Sequence, residues 1–237
     1  MAGLPPKVYQ SYTLPQPETG TLRKSLNYKE YDIVMAPRVA IVFYSLYGHL
    51  QKLAEAEQIG LQKVGIKADI FQIAETLPAD VLVKMRAGPK SEYPIAEATA
   101  LEQYDAFLFG IPTRFGNFPA QWKAFWDATS HQWSSGGYWG KYAGLFIGTA
   151  TQGGGQETTA IAAMSTLVHH GMVYVPLGYK TTFDLQSGLS EARGGSPWGA
   201  GTYSGIDGSR LPSQLELDMA VTQGESFGKT ISKVTFA

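Results

Sequence analysis

From residue 38 onward the chain alternates continuous apolar runs with apolar positions spaced for helices. RVAIVFYS (38–45) is unbroken from Val39 to Tyr44, the pattern of a strand covered on both faces. HLQKLAEAEQIGLQKVG (49–65) places Leu50, Leu53, Ala54, Leu61 and Val64 on one helical face. KADIFQI (67–73) predicts a second strand, and PADVLVKM (78–85) a short helix led by proline. YDAFLFGIP (104–112) and YAGLFIGTA (142–150) predict the third and fourth strands, each followed by a helix, over 119–129 and 158–170. MVYVPLGY (172–179) predicts a fifth strand. The last helix starts at PSQLE, where Ser213 and Glu216 have capping-box spacing, and runs towards Val234.

Five strands separated by helices predict one α/β domain, a parallel sheet with helices on both faces, because right-handed crossovers lay each helix over the sheet. Residues 1–36 are proline-rich and polar without a period, and predict an N-terminal extension, disordered or peripheral, to a domain spanning 37–237. The stretch 180–210 is glycine-rich and too long for an ordinary connection, so it is either functional or disordered. Its aromatics Trp198 and Tyr203 favour packing.

Composition narrows the chemistry. A net charge of −1 supplies no basic field for nucleic acid or a membrane surface. The absence of cysteine excludes disulfides, thiolate metal sites and thiol nucleophiles, so any redox chemistry must come from a bound cofactor. No apolar run has the length of a membrane span, and the N-terminus lacks the apolar core of a secretory signal. A cytoplasmic protein without integral membrane contact is expected.

Ligands of open parallel sheets sit outside the carboxyl ends of the strands. Here those ends carry Ser45-Leu46-Tyr47-Gly48-His49, Pro112-Thr113-Arg114-Phe115-Gly116-Asn117 and Thr149-Ala150-Thr151-Gln152-Gly153-Gly154-Gly155. Ser45 with the free amides of a helix N-terminus would hold an anion, and Gly48 admits close approach. A plain helix cap with a tight turn accounts for the same residues. Neither the nucleotide-triphosphate P-loop pattern nor the dinucleotide fingerprint is present, which leaves a monophosphate as the natural ligand. Proline and glycine bracket Thr113, Arg114 and Phe115, as presentation toward a planar polar edge such as a flavin's requires. Three glycines after the fourth strand let the backbone lie flat against a ring, or make a flexible linker. Trp122 and Trp126 are expected in the core. Trp133, Tyr138, Trp139 and Tyr142 suit a stacking wall or a subunit contact. His169 and His170 end a helix without further ligands at metal spacing; no metal is expected, and one of the pair is expected to be structural.

The blocks YSLYGH, FGIPTRFGNFPAQWKAFWD, GGGQE, LVHHGMVYVPLGY, GGSPWGAGT and DGSR, the last followed by PSQLEL, resemble in sequence and order those of the flavodoxin-like NAD(P)H:quinone oxidoreductases of the tryptophan-repressor-binding-protein family, in a fungal-type form. The resemblance runs from about residue 37 to the C-terminus. It implies a doubly wound flavodoxin-like sheet of order 2-1-3-4-5, FMN as prosthetic group, NADH or NADPH as co-substrate, a quinone as acceptor, and a homotetramer or a dimer. It places the phosphate on Ser45, Leu46, Tyr47, Gly48, His49 and Leu50. The isoalloxazine edge falls on Pro112, Thr113, Arg114, Phe115 and Gly116, and the far side on Thr149, Ala150, Thr151, Gln152 and Gly153. Trp133, His169 and Tyr179 become the substrate-cavity residues, with His169 also near the flavin and Tyr47 near the nicotinamide. GTATQ departs from the family's Ser-Thr-Gly-Thr-Gly run and is one residue longer; Ala150 lacks glycine's freedom for a peptide turn there.

The implied reaction is two-electron reduction of quinones by a ping-pong cycle, with NAD(P)H leaving before the quinone enters. Arg114 would stabilise negative charge at the reduced ring, and His169 would serve as proton partner or carbonyl donor. The alternatives are a single-electron carrier of flavodoxin type, against which the near-neutral charge argues, and a flavin-binding regulatory or scaffold protein without essential catalysis.

Overall fold

The computed structural model describes residues 36–236, so the extension expected over 1–36 lies, Ala36 apart, outside the described residues. Strands β1 (Val39–Phe43), β2 (Ala68–Gln72), β3 (Ala106–Pro112) and β4 (Tyr142–Thr149) form where the continuous apolar runs predict them. With β5 (Val173–Tyr174) they make a parallel sheet in the order β2-β1-β3-β4-β5. Its strands are apolar on both sides because both are covered. Val39, Ile41 and Phe43 join one buried cluster, and Ala40 and Val42 another.

Helices α1 (His49–Lys63) and α8 (Gln214–Ile231) cover the first face. Their backbones touch: a Cβ built on Gly60 would stand 2.1 Å from the Val221 carbonyl oxygen, and one on Gly224 2.2 Å from that of Glu57. The second cluster holds Trp122 and Trp126 of α4 (Ala120–Asp127) together with Ala160, Ala163 and Leu167 of α6 (Gln156–His169). Trp122 Nε1 donates to the Gly110 carbonyl at 3.0 Å, which satisfies the indole inside the core. Shorter helices α2 (Ala79–Lys84) and α3 (Ala98–Leu101) join β2 to β3.

Three expectations need correction. The fifth strand is two residues long rather than spanning 172–179. Val175 still donates to Ala143, but Pro176 has no N–H to continue the ladder. The upper half of β4 pairs instead with β6 (Gly201–Tyr203), a strand formed inside the stretch read as a loop. That stretch also holds α7 (Phe183–Ser187). The third correction concerns the aromatic group after α4. Residues Ser130–Ser135 form α5, and Tyr138 is buried, its hydroxyl donating to the Ala98 carbonyl at 2.7 Å, so it belongs to the core and not to a stacking wall. Trp133 and Trp139 remain exposed.

The capping box at α8 forms as predicted: Glu216 N donates to Ser213 Oγ at 3.3 Å and Ser213 N to Glu216 Oε2 at 2.9 Å. No described helix is long and apolar enough to cross a membrane.

Candidate functional site

The carboxyl ends of β1, β3 and β4 border a cavity of about 310 Å³. From the turn after β1 come Ser45, Leu46, Tyr47, His49 and Leu50; from β3 and its turn come Pro112, Thr113 and Arg114; from β4 come Thr149 and Ala150. The structure thus brings together ten residues singled out in the sequence, drawn from three separate segments.

Gly48 is the N-cap of α1 at φ 86° and has no side chain with which to cap the helix. Ser45 Oγ accepts from Leu50 N at 3.2 Å. Among the described residues, none of the amides of Leu46, Tyr47, Gly48 and His49 donates to a protein acceptor. Uncommitted amides at the positive end of a fifteen-residue helix are a physical fit for an anion.

After β3, Arg114 and Asn117 exchange both backbone hydrogen bonds, at 2.7 and 3.0 Å, closing a two-residue turn. Its tip holds Phe115 at φ 55° and Gly116 at φ 75°. A left-handed phenylalanine with a fully exposed side chain is costly, and such strain is a mark of functional turns. Thr113 Oγ1 fixes the turn from below, accepting from Gly116 N at 3.1 Å and from Thr159 Oγ1 at 2.8 Å.

The far rim is a lip at 202–208 that contributes Thr202, Ser204, Gly205, Ile206, Asp207 and Gly208. Ser204 and Gly205 donate to the carbonyls of Thr149 and Ala150 at 2.9 and 3.0 Å. The Ala150 peptide is therefore tied down from outside its own turn. Buried Glu216 anchors the lip: its carboxylate accepts from Gly194 N at 2.7 Å, Thr202 Oγ1 at 2.8 Å and Arg210 Nη1 at 2.9 Å. The sequence marked this stretch by its glycine content, its length, its aromatics Trp198 and Tyr203 and the blocks GGSPWGAGT and DGSR, but assigned none of its residues to the site. Much of its contribution is backbone, whose placement depends on pairing with β4 and on Glu216.

On the other side of Tyr44, Ser45 and Leu46 lies a second cavity of about 320 Å³, reached by Glu75 and Lys90. The Tyr44 hydroxyl donates to Glu75 Oε2 at 2.7 Å, while Glu75 Oε1 accepts from Thr76 N, Leu77 N and Gln121 Nε2, each at 2.8 Å. Partial burial raises the Glu75 pKa, but these donors outweigh it and hold the carboxyl below its ordinary range. Burial and then Glu75 push the Tyr44 phenol up. Tyr47 lines the first cavity. Its hydroxyl donates to the Met85 carbonyl at 3.0 Å, and its ring lies beside Gly208.

Phe115, Gly116, Thr151, Gln152 and Gly153 sit on the two neighbouring turns without lining the first cavity. Trp133 and His169 line a separate shallow cleft with Trp126, Asp127 and Thr129. Tyr179 is half exposed and lines neither. His170 is the structural member of its pair, buried with Nε2 3.0 Å from Thr129 Oγ1, whereas His169 is exposed.

Residues 39–182 match the model of the family described as NADPH-dependent FMN reductase. A minor allergen of Alternaria alternata, Alt a 7, is 60% identical over 84% of this chain and 98% of its own length. NAD(P)H quinone oxidoreductase PST3 of Candida albicans is 58% identical over 84% of this chain and 100% of its own. Among solved structures, a flavodoxin, WrbA-like protein from Agrobacterium tumefaciens superposes with a TM-score of 0.59 at 23% identity, covering 84% of this chain and 99% of that one, a likeness of fold.

Proposed function

Because the chain belongs to the NADPH-dependent FMN reductase family, we propose that it is an FMN-dependent NAD(P)H:quinone oxidoreductase, the activity named for its Candida albicans relative. The observation that carries the reading is the set of four uncommitted amides, Leu46 to His49, in the segment whose residues Leu46, Tyr47 and His49 line the cavity where three strand ends meet. They fit the phosphate of FMN. The turn holding Thr113 and Arg114 and the lip at 202–208 both border that cavity, and would flank a ribityl chain and a planar ring. FMN, when bound, supplies two-electron exchange between a reduced nicotinamide and a quinone.

The protein's part is binding and electrostatics. Ser45 and the α1 amides hold the phosphate. Thr113 and the strained Phe115 turn present Arg114, whose guanidinium stabilises negative charge at the rim. The nicotinamide and the quinone would use the same opening in succession, which makes the kinetics ping-pong. Trp133, His169 and Tyr179 do not line this cavity, so the roles proposed for them, a stacking wall and a proton donor to the quinone carbonyl, require a neighbouring copy to present them. The homotetramer we propose supplies that copy.

The test is the absorption spectrum of the FMN-loaded protein under anaerobic titration. Loss of the oxidised-flavin band on adding NADH or NADPH and its return on adding benzoquinone are expected, with parallel double-reciprocal lines in steady state. A protein that binds no flavin overturns the proposal. One that binds FMN but turns over no quinone is an electron carrier instead.

A further inference from the structure

His49 is the first residue of α1, buried, and part of the cavity wall. Its Nε2 lies 2.9 Å from the carbonyl oxygen of Arg210, and the Gly208 carbonyl also faces the ring. Both carbonyls belong to the lip. Arg210 N donates to Ser204 O at 3.0 Å and Gly208 N to Gly205 O at 3.3 Å, so residues 204–210 form one bonded unit. That unit is anchored to α8 through Arg210 and Glu216, and it meets the first turn of α1 through His49 and the Tyr47 ring. A neutral imidazole has one N–H to offer two carbonyls; an imidazolium has two.

The charges around the ring are few. Burial disfavours the imidazolium most, followed on that side by the Arg210 guanidinium from the lip, and the positive end of the α1 dipole acts in the same sense. The Gly208 and Arg210 carbonyls and the Glu216 carboxylate from α8 favour it. The balance holds His49 below its ordinary range in the free protein. The uncommitted amides of the same helix turn mark where a dianion would sit.

We infer that His49 takes up a proton when a phosphate dianion settles on the first turn of α1, and that the imidazolium latches the 204–210 lip over the bound cofactor. The inference rests on FMN binding at this cavity and adds to it a linkage between phosphate, proton and lip. Riboflavin, which presents the same ring without the phosphate, would not engage the latch.

Calorimetric titration of FMN into the flavin-free full chain near pH 7, in two buffers of different ionisation enthalpy, counts the protons exchanged. The second pKa of a phosphate monoester is about 6, so FMN itself exchanges a fraction of a proton, and His49→Gln measures that background. Wild type is expected to take up as much as one proton more than the variant, and its FMN Kd to rise by up to about tenfold per pH unit above neutrality. The variant and riboflavin should both lack that dependence. Nitrogen-15 shifts of the His49 ring, neutral in free wild type and charged with FMN bound, provide a reading that needs no substitution. Equal proton counts in wild type and variant, or a ring that stays neutral in the complex, overturn the latch while FMN binding stands. No FMN binding at all overturns both readings together.

Discussion

Glu216 Oε2 lies 2.9 Å from Arg210 Nη1, with the carboxylate fully buried at the start of α8 and the guanidinium reaching it from the cavity lip. The pair does more than join two charges. The same carboxylate caps α8 through Ser213, receives Thr202 of β6, and fixes Gly194 across the base of the lip. Removing it takes their acceptor from three backbone amides, those of Gly194, Tyr203 and Ser213, and the carboxylate partner from Arg210. Each buried donor left unsatisfied costs about 1–3 kcal/mol. Glu216→Ala is expected to lower Tm markedly and to open residues 202–210 to proteases, with FMN affinity falling at least tenfold. Proteolytic mapping and flavin fluorescence check this; a variant with wild-type protection would remove the anchor from the account.

Ser45 and the α1 amides separate phosphate recognition from ring recognition. Ser45→Ala deletes the hydroxyl that accepts from Leu50 N, on a residue that lines the cavity. One lost hydrogen bond to a charged group corresponds to about 1.5–3 kcal/mol. The FMN Kd should therefore rise by roughly ten- to a hundredfold, while riboflavin binding changes little. Equal losses for the two flavins would place the phosphate elsewhere.

How much of this was legible follows from what each part is made of. Val39–Phe43 announces β1 because a doubly covered strand has no polar face to interrupt it. The turns after β1, β3 and β4 stand out through glycine, proline and hydroxyl residues that regular structure avoids. The run 172–179 misleads because its apolar content matches a strand while Pro176 ends the ladder. Gly201–Tyr203 is a strand only because β4 offers it unpaired edge groups, a tertiary cause with no local signal. The same holds for the contact between His49 and the lip, since the acceptor Arg210 is 161 residues away. Ser130–Ser135 hid in a polar stretch too short to show a period.

The contact between α1 and α8 is set by two glycines. A methyl group at Gly60 or Gly224 would stand 2.1 or 2.2 Å from a carbonyl oxygen of the facing helix, and that neighbour is backbone, which cannot rotate away. Overpacking of this kind costs about 1–3 kcal/mol. Gly60→Ala and Gly224→Ala should each lower Tm by several degrees. The double variant should lose less than the sum of the two, since one helix displacement relieves both clashes. Additive losses in thermal melts would show that the two positions relax independently.

Glu57 sits inside that same contact, fully buried, and neither carboxylate oxygen has a hydrogen-bond partner among the described residues. Burial raises its pKa well above the ordinary 4.5. The folded state therefore binds a proton more tightly than the unfolded state does. Its sign follows from linkage: the stability gained from this proton is complete below about pH 4.5, where both states are protonated, and declines as pH rises toward the folded-state pKa. Leucine or methionine at this position has nothing to titrate and fills similar space. Glu57→Leu and Glu57→Met are expected to melt higher than wild type at pH 8, with the gap narrowing as pH falls toward 4.5. Chemical denaturation across that range is the measurement. A gap that does not change with pH would mean that the carboxyl is charged and solvated in the folded protein, and that the α1–α8 seam admits water.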